Sequence, residues 1–229
     1  MAPALKLLSS MAAREVLALL AAAFAATTGR RVDTEAAGGV DVARRVAAGE
    51  AVDVVVLSGQ AIDNLIASGH LAAGSRVDLV KSGVAIAVRA GAPVPPLADE
   101  AAVKAAVLAA GSLAYSTGPS GVYLEKLFAR WGILEQIRAR IVVPPPGIPV
   151  GSLVASGAAE LGFQQLSELL NVPGIRVAGP LPPPIQTITT FSGAIAANAA
   201  EPGLARALLD FLASPATAPI KERCGMSPA

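Results

Sequence analysis

The 229-residue chain is poor in the side chains that most enzymes use for chemistry. It has one cysteine, one histidine, one tryptophan, two tyrosines and five phenylalanines. Cys224 has no second cysteine to pair with, so no internal disulfide forms and cysteine usage leaves the redox compartment open. A lone thiol near the C-terminus reads as a small buried side chain, because a reactive one needs a base beside it. His70 and Cys224 lie far apart, which excludes a zinc site of the usual His/Cys kind and removes histidine-dependent nucleophilic triads. Charged residues make up only 15%, with 18 basic against 17 acidic, and the net charge is +1. Without a basic block, the chain lacks the electrostatic footprint of a nucleic-acid binder. No Gly-Lys-Ser or Gly-Lys-Thr occurs, so there is no P-loop, and Gly38-Gly39 lacks the rest of a dinucleotide fingerprint. Nothing in the sequence calls for a cofactor or a resident metal.

Long apolar runs are also missing. The longest, 16–26, falls short of the roughly 18 residues that span a bilayer, so no membrane insertion is expected. Ala23-Phe24-Ala25 imitates a leader-cleavage site, but Glu15 sits where a leader carries positive charge. Leu5 to Leu8 reads as a strand feeding this segment, which makes the segment part of the fold. The expected location is the periplasm if a leader has been removed, and the cytoplasm otherwise.

What the chain does have is alanine, glycine and a repeated α/β rhythm. Hydrophobic residues make up 53% and aromatics only 3%, which points to close helix–sheet packing without many rings. Leu5 to Leu8 is a predicted strand and Ala12 to Thr28 a helix, ended by Gly29 in the left-handed cap position. A strand at 31–35, the turn Gly38-Gly39 and a helix at 40–48 follow. Asp53 to Leu57 reads as a fully buried parallel strand, and Ser58-Gly59 opens a helix at 60–68. The rhythm then repeats: a strand at 84–88, a helix at 99–110 with Asp99 as N-cap, a strand to Tyr115, a helix through Trp131 and a strand at 140–143. The Pro144 to Gly147 loop leads to a helix at 148–156, with strands at 160–164 and 175–178. The extended run 185–197 is too long for one ordinary strand, and helices at 201–212 and 215–224 close the chain. Alternating strands and helices of this kind predict an α/β fold of doubly wound sheets. Crossings near 79–84 and within 185–197 divide the chain into lobe 1, residues 1–80 plus 191–229, and lobe 2, residues 81–190.

The segment Tyr115-Ser116-Thr117-Gly118-Pro119-Ser120-Gly121-Val122-Tyr123 carries the clearest chemistry. It is a strand, a turn of small residues, then a helix whose first turn suits Pro119. Thr117, Ser120 and Gly121 offer hydroxyls and free N–H groups at the helix's positive end, a ready anion site. The same construction follows Leu8 and Glu35. A chain with several such turns is built to hold a small anion.

The order of these pieces resembles the periplasmic-binding-protein type II fold, specifically the molybdate-binding branch of the ABC-transporter solute-binding proteins. The resemblance rests on 5–24, 38–49, Asp53-Val54-Val55-Val56-Leu57-Ser58, Ser120-Gly121-Val122-Tyr123, Leu153-Val154-Ala155-Ser156-Gly157 and Leu209-Asp210-Phe211-Leu212. It implies two hinged lobes that close on an anion, a monomer, and an ABC permease as partner. With the turns read above it puts the ligand against Ser10, Met11, Ala12, Gly38, Gly39, Val40 and Ser58 in lobe 1, and Arg14 joins them because a bound carboxylate would offset a cation in the first turn of its helix. In lobe 2 it implicates Thr117, Ser120, Gly121, Val122, Tyr123, Gly147, Gln164 and Gln165. The family's first serine falls on Ala12, its second near Gly39 and Val40, and its tyrosine near Gln165. Each lost hydroxyl donor weakens a buried oxyanion site by roughly 1.5–3 kcal/mol. The more apolar wall and the two glutamines suit an organic carboxylate better than a bare tetrahedral ion. The sequence therefore reads as a binding protein that captures a small anion, an oxyanion or, better suited, an organic carboxylate, in an interlobe cleft. The alternatives are a cofactor-free isomerase on the same scaffold, of the aconitate isomerase kind, or a cytoplasmic ligand sensor. For the isomerase, Glu35 and Glu168 are the candidate bases, since the chemistry removes a proton beside a carboxylate and returns it elsewhere.

Overall fold

The computed structural model describes residues 3–145 and 147–229, so Pro146 of the expected rigid loop lies outside the described residues. In chain order the elements are β1 (Leu5–Ser10), α1 (Arg14–Thr28), β2 (Val32–Ala37), α2 (Gly39–Ala47), β3 (Val54–Ser58), α3 (Gly59–Ala67) and β4 (Val77–Arg89). Then come α4 (Glu100–Ala109), β5 (Leu113–Tyr115), α5 (Pro119–Arg130), α6 (Leu134–Ile137), β6 (Ile141–Val142) and α7 (Val150–Ser156). The chain ends with β7 (Leu161–Gln165), α8 (Leu166–Leu169), β8 (Ile175–Pro180), β9 (Ile188–Ile195), α9 (Pro202–Ala213), α10 (Ala218–Arg223) and β10 (Ser227–Pro228). Two compact units result: residues 1–82 with 190–229, and residues 83–189.

In unit 1, β1 lies between β2 and β3 and is parallel to both, while β9 closes antiparallel on β3. β10 pairs antiparallel with the first half of β4, Ser227 opposite Lys81. Helix α1 exists because Val16, Leu17, Leu20, Ala21 and Phe24 recur on one face and bury there. Val16, Leu17, Leu20 and Phe24 join Leu5, Leu7, Val54 and Val56 from the sheet and Leu208, Leu209 and Leu212 from α9 in one core. By length and apolar character alone 11–28 would pass for a membrane span, longer than the 16–26 run suggested. Its buried face makes it the central core helix of this unit. Gly29 ends it at φ +70°, as its position after the last periodic residue predicts. On the sheet's other face, α2 and α3 pack Val42, Val46, Ile62 and Leu65 against Leu8, Val55 and Leu57.

In unit 2, the second half of β4 runs antiparallel to β7 and to β8, while β7, β5 and β6 are parallel. The main core gathers Val84, Ile86, Val103, Val107, Leu124, Phe128, Ile133 and Phe163. Phe128 makes tilted or edge contacts with Tyr115, Trp131 and Phe163. Asp99 caps α4 as expected, its carboxylate accepting the Ala102 N–H at 2.8 Å.

Two strands, β4 and β9, differ from the sequence-based reading. β4 is 13 residues long, covering both the expected strand and the stretch taken as a connector. Its apolar residues do not alternate strictly, because both faces of its second half are buried, Val84, Ile86 and Val88 in the main core of unit 2 and Ala85 and Ala87 in a smaller one. β9 is shorter than the extended run that contains it, since Pro183–Ile185 forms a single 3₁₀ turn. β9 runs antiparallel to β3, and β4 antiparallel to β7, β8 and β10, which makes the sheets mixed, a feature the uniform βα rhythm concealed.

Candidate functional site

In unit 1 the carboxyl ends of β1 and β2 emerge side by side, with Ser10 opposite Ala37 in the parallel register. Ligands in open α/β sheets gather at this end of the strands. Ser10 is 8% exposed, and its hydroxyl has no hydrogen-bond partner among the described residues. Its Cβ lies 3.8 Å from where a Cβ on Gly39 would stand, so it abuts the start of α2. Gly38 takes an extended conformation ahead of that nine-residue helix, and no side chain caps it. The first N–H groups of a helix have no partner within it, so an uncapped start and an unsatisfied buried hydroxyl share one corner. Val40 stands out from the same turn, 73% exposed. Met11 is half-buried and Ala12 buried. Arg14 is exposed in the first turn of α1 and makes no ion pair or hydrogen bond among the described residues.

The Ser58–Gly59 turn is different. A Cβ on Gly59 would fall 2.7 Å from Arg76 Nη2 and 3.3 Å from Ser192 Oγ. A guanidinium therefore lies over the start of α3, where the macrodipole opposes a cation. Acidic partners hold it there: Arg76 donates to Asp63 and, through Nε at 3.0 Å and Nη2 at 2.9 Å, to Asp78. The Ser192 hydroxyl donates to Asp78 at 2.6 Å. That bond first, and Arg76 second, hold the Asp78 carboxyl below its ordinary range.

In unit 2, Tyr115 pairs with Phe163, so the turn after β5 and the end of β7 emerge together. Helix α5 begins at Pro119, behind an extended Gly118 and without a side-chain cap. Thr117 and Val122 are exposed, whereas Ser120 and Gly121 are buried. Tyr123 packs against the core, and its hydroxyl donates to the Ile185 carbonyl at 2.7 Å. Gln164 commits both ends of its amide: Oε1 accepts the Val150 N–H at 3.1 Å and Nε2 donates to Glu168 at 2.7 Å. The start of α7 is thus closed from within. Gln165 donates to Thr189 Oγ1 at 2.8 Å, but its Oε1 is buried and unpartnered. Gly147 is exposed at φ +82° with nothing within 4 Å of a Cβ placed on it.

The fold brings Ser10, Gly38, Gly39 and Val40 together in unit 1, and the 117–121 turn together with Gln164 and Gln165 in unit 2. Glu35 is taken up by Arg45 at 2.6 Å, while Glu168 is held by the Gln164 amide. The sequence reading missed Arg76, Asp78, Ser192 and Thr189, which sit on or beside strands read as connectors. The alternation Arg76-Val77-Asp78 was the one available signal, since it puts both charges on one face of a strand. Ser82 was missed too: it is buried on β4 with its hydroxyl unpartnered. Cys224 is buried, and that burial, then the charge of Glu15, pushes its thiol up. Among the described residues no three His, Cys, Asp or Glu side chains gather to hold a metal.

The chain matches the bacterial extracellular solute-binding protein family over residues 5–227 and belongs to it. It is 42% identical over 232 residues to a protein of Pseudomonas sp. named aconitate isomerase, covering 98% of this chain and 87% of that one. Its fold matches the periplasmic molybdate-binding protein of Azotobacter vinelandii with a TM-score of 0.80 and 23% identity, covering 97% of this chain and 98% of that one. The sulfate-binding protein SubI of Mycobacterium tuberculosis matches with a TM-score of 0.80 and 19% identity, covering 100% and 88%. At these identities the two structures share the fold alone.

Proposed function

We propose that this protein binds a small organic polycarboxylate and isomerises it by moving a proton between carbons, a reading supported by its likeness to the Pseudomonas protein named aconitate isomerase. The observation that carries the binding half is the Ser10 hydroxyl, buried and unpartnered beside the uncapped start of α2. An unsatisfied buried hydroxyl costs about 1–3 kcal/mol, which an accepting ligand oxygen offsets. The positive end of the helix supplies the charge preference. The α5 turn in unit 2 is a second anion-favouring element, with Thr117, Ser120 and Gly121 at its helix start.

What the turns lack favours an organic ligand. A tetrahedral oxyanion needs many donors around one centre. Here Ala12 and Val40 supply no hydroxyl, Gln164 spends its amide on Val150 and Glu168, and Tyr123 spends its hydroxyl on Ile185. A polycarboxylate spreads its charge over several groups and presents a carbon skeleton to apolar walls such as Met11 and Val40. Cis- and trans-aconitate interconvert when the methylene proton leaves, the double bond shifts one carbon, and a proton returns to the former vinyl carbon. The step is redox-neutral, needing one base and donors that hold the carboxylates.

Incubating the protein with cis-aconitate in D₂O and following the proton NMR spectrum tests this reading. The expected result is growth of the trans isomer with deuterium at the carbon that receives the returning proton. No turnover at stoichiometric protein would remove the isomerase. Family membership favours a second reading in that case: a receptor that captures the same class of anion for an ABC permease.

A further inference from the structure

Unit 2 contains a cavity of about 300 Å³ lined by Tyr115, Glu125, Leu134, Arg138, Ile141 and Val143. None of the residues assigned above to the anion lines it. Its volume is at the lower end of the roughly 300–1,000 Å³ usual for small-molecule sites. Glu125 and Arg138 face this one space with opposite charges and are within electrostatic reach, yet form no ion pair with each other.

Each charge is held back by its own partner. Arg138 donates from Nε to Glu135 at 3.0 Å and from Nη2 to the other carboxylate oxygen. A guanidinium carries five N–H groups, so three remain. Glu125 accepts the Tyr115 hydroxyl at 3.3 Å. Tyr115 is 3% exposed. Burial first, then the charge of Glu125, pushes its hydroxyl up to about 12, so it stays a proton donor at neutral pH. The rest of the wall is aliphatic, and Val143 is 46% exposed.

We propose that this cavity is a second ligand site that takes an aliphatic α-amino acid as its zwitterion. The ammonium meets Glu125, the carboxylate meets Arg138, and the side chain lies on Leu134, Ile141 and Val143. A simple carboxylate would be attracted by Arg138 and repelled by Glu125 and by Glu135 behind the guanidinium; a simple amine would meet Glu125 but leave the three free N–H groups of Arg138 without an acceptor. Only a ligand with both charges satisfies both walls. The site is independent of the isomerase reading, since it uses none of that reading's residues.

Isothermal titration with L-leucine, 4-methylpentanoate and 3-methylbutylamine tests it. Leucine is expected to bind saturably, with each single-charge analogue at least about tenfold weaker. Glu125→Gln and Arg138→Gln are each expected to weaken leucine at least about tenfold, while leaving the melting temperature and the response to aconitate unchanged. Three results overturn the proposal: no saturable heat with leucine up to about 10 mM, analogues that bind as well as leucine, or variants that bind leucine as the wild type does.

Discussion

A β-carbon on Gly121 would stand 1.6 Å from the Ser116 carbonyl oxygen. The obstacle is backbone, so no rotamer change relieves it, and the turn before α5 must open for any larger residue. Overpacking of this kind costs about 1–3 kcal/mol when side chains can yield, and more when they cannot. Gly121→Ala is therefore expected to lower stability by about 3 kcal/mol, a fall of roughly 6–12 °C in a domain of this size. A thermal melt of the variant checks it; a melt within a degree of wild type would show that the turn has slack. The sequence showed Gly121 as a small residue at a helix start. It did not show why glycine is required, because the close contact is between backbone atoms five residues apart. The same limit applied to Tyr123 and Gln164: residue type showed their hydrogen-bonding capacity, and only coordinates showed that Ile185, Val150 and Glu168 use it.

Helix α10 has six residues and buries Lys221 at 1% exposure, near Cys224 and Met226 of the unit 1 core. Desolvation pushes the Lys221 ammonium below its ordinary range. The folded state thus holds its proton less tightly than the unfolded chain, where the group titrates near about 10.4. Between those two values the unfolded state binds more protons, so stability rises with pH. Below both, the full penalty for a buried cation applies. Lys221→Met removes the penalty: denaturation midpoints at pH 7 are expected to rise, and the alkaline gain seen in wild type to flatten. An unchanged midpoint with an unchanged pH slope would mean that the ammonium reaches water. In the sequence this residue looks like any surface lysine in a polar C-terminal helix. Elements marked by periodicity and glycine stops, such as α1 with Gly29 and α7 with Gly157, were legible to within a few residues. The two-residue β10 carries no periodicity at all.

For the molecule as a whole, the alternation of strands and helices was readable because every βα unit buries one sheet face against one helix stripe. The antiparallel β4 and β9 were not, since the direction of a buried strand leaves no mark on its composition. The candidate site was legible as a set of turns and illegible as chemistry. Glycine and serine at helix starts announce anion affinity, whereas the Arg76 cover over α3 depends on Asp63 and Asp78 holding the guanidinium there. The central claim is that these turns, short of hydroxyls yet rich in helix starts, hold an organic polycarboxylate in preference to a tetrahedral oxyanion. Titration calorimetry of the purified protein with trans-aconitate, molybdate and sulfate measures that preference directly. Saturable binding of aconitate, undisturbed by excess molybdate or sulfate, is the expected result; tight binding of molybdate that displaces aconitate would contradict the account.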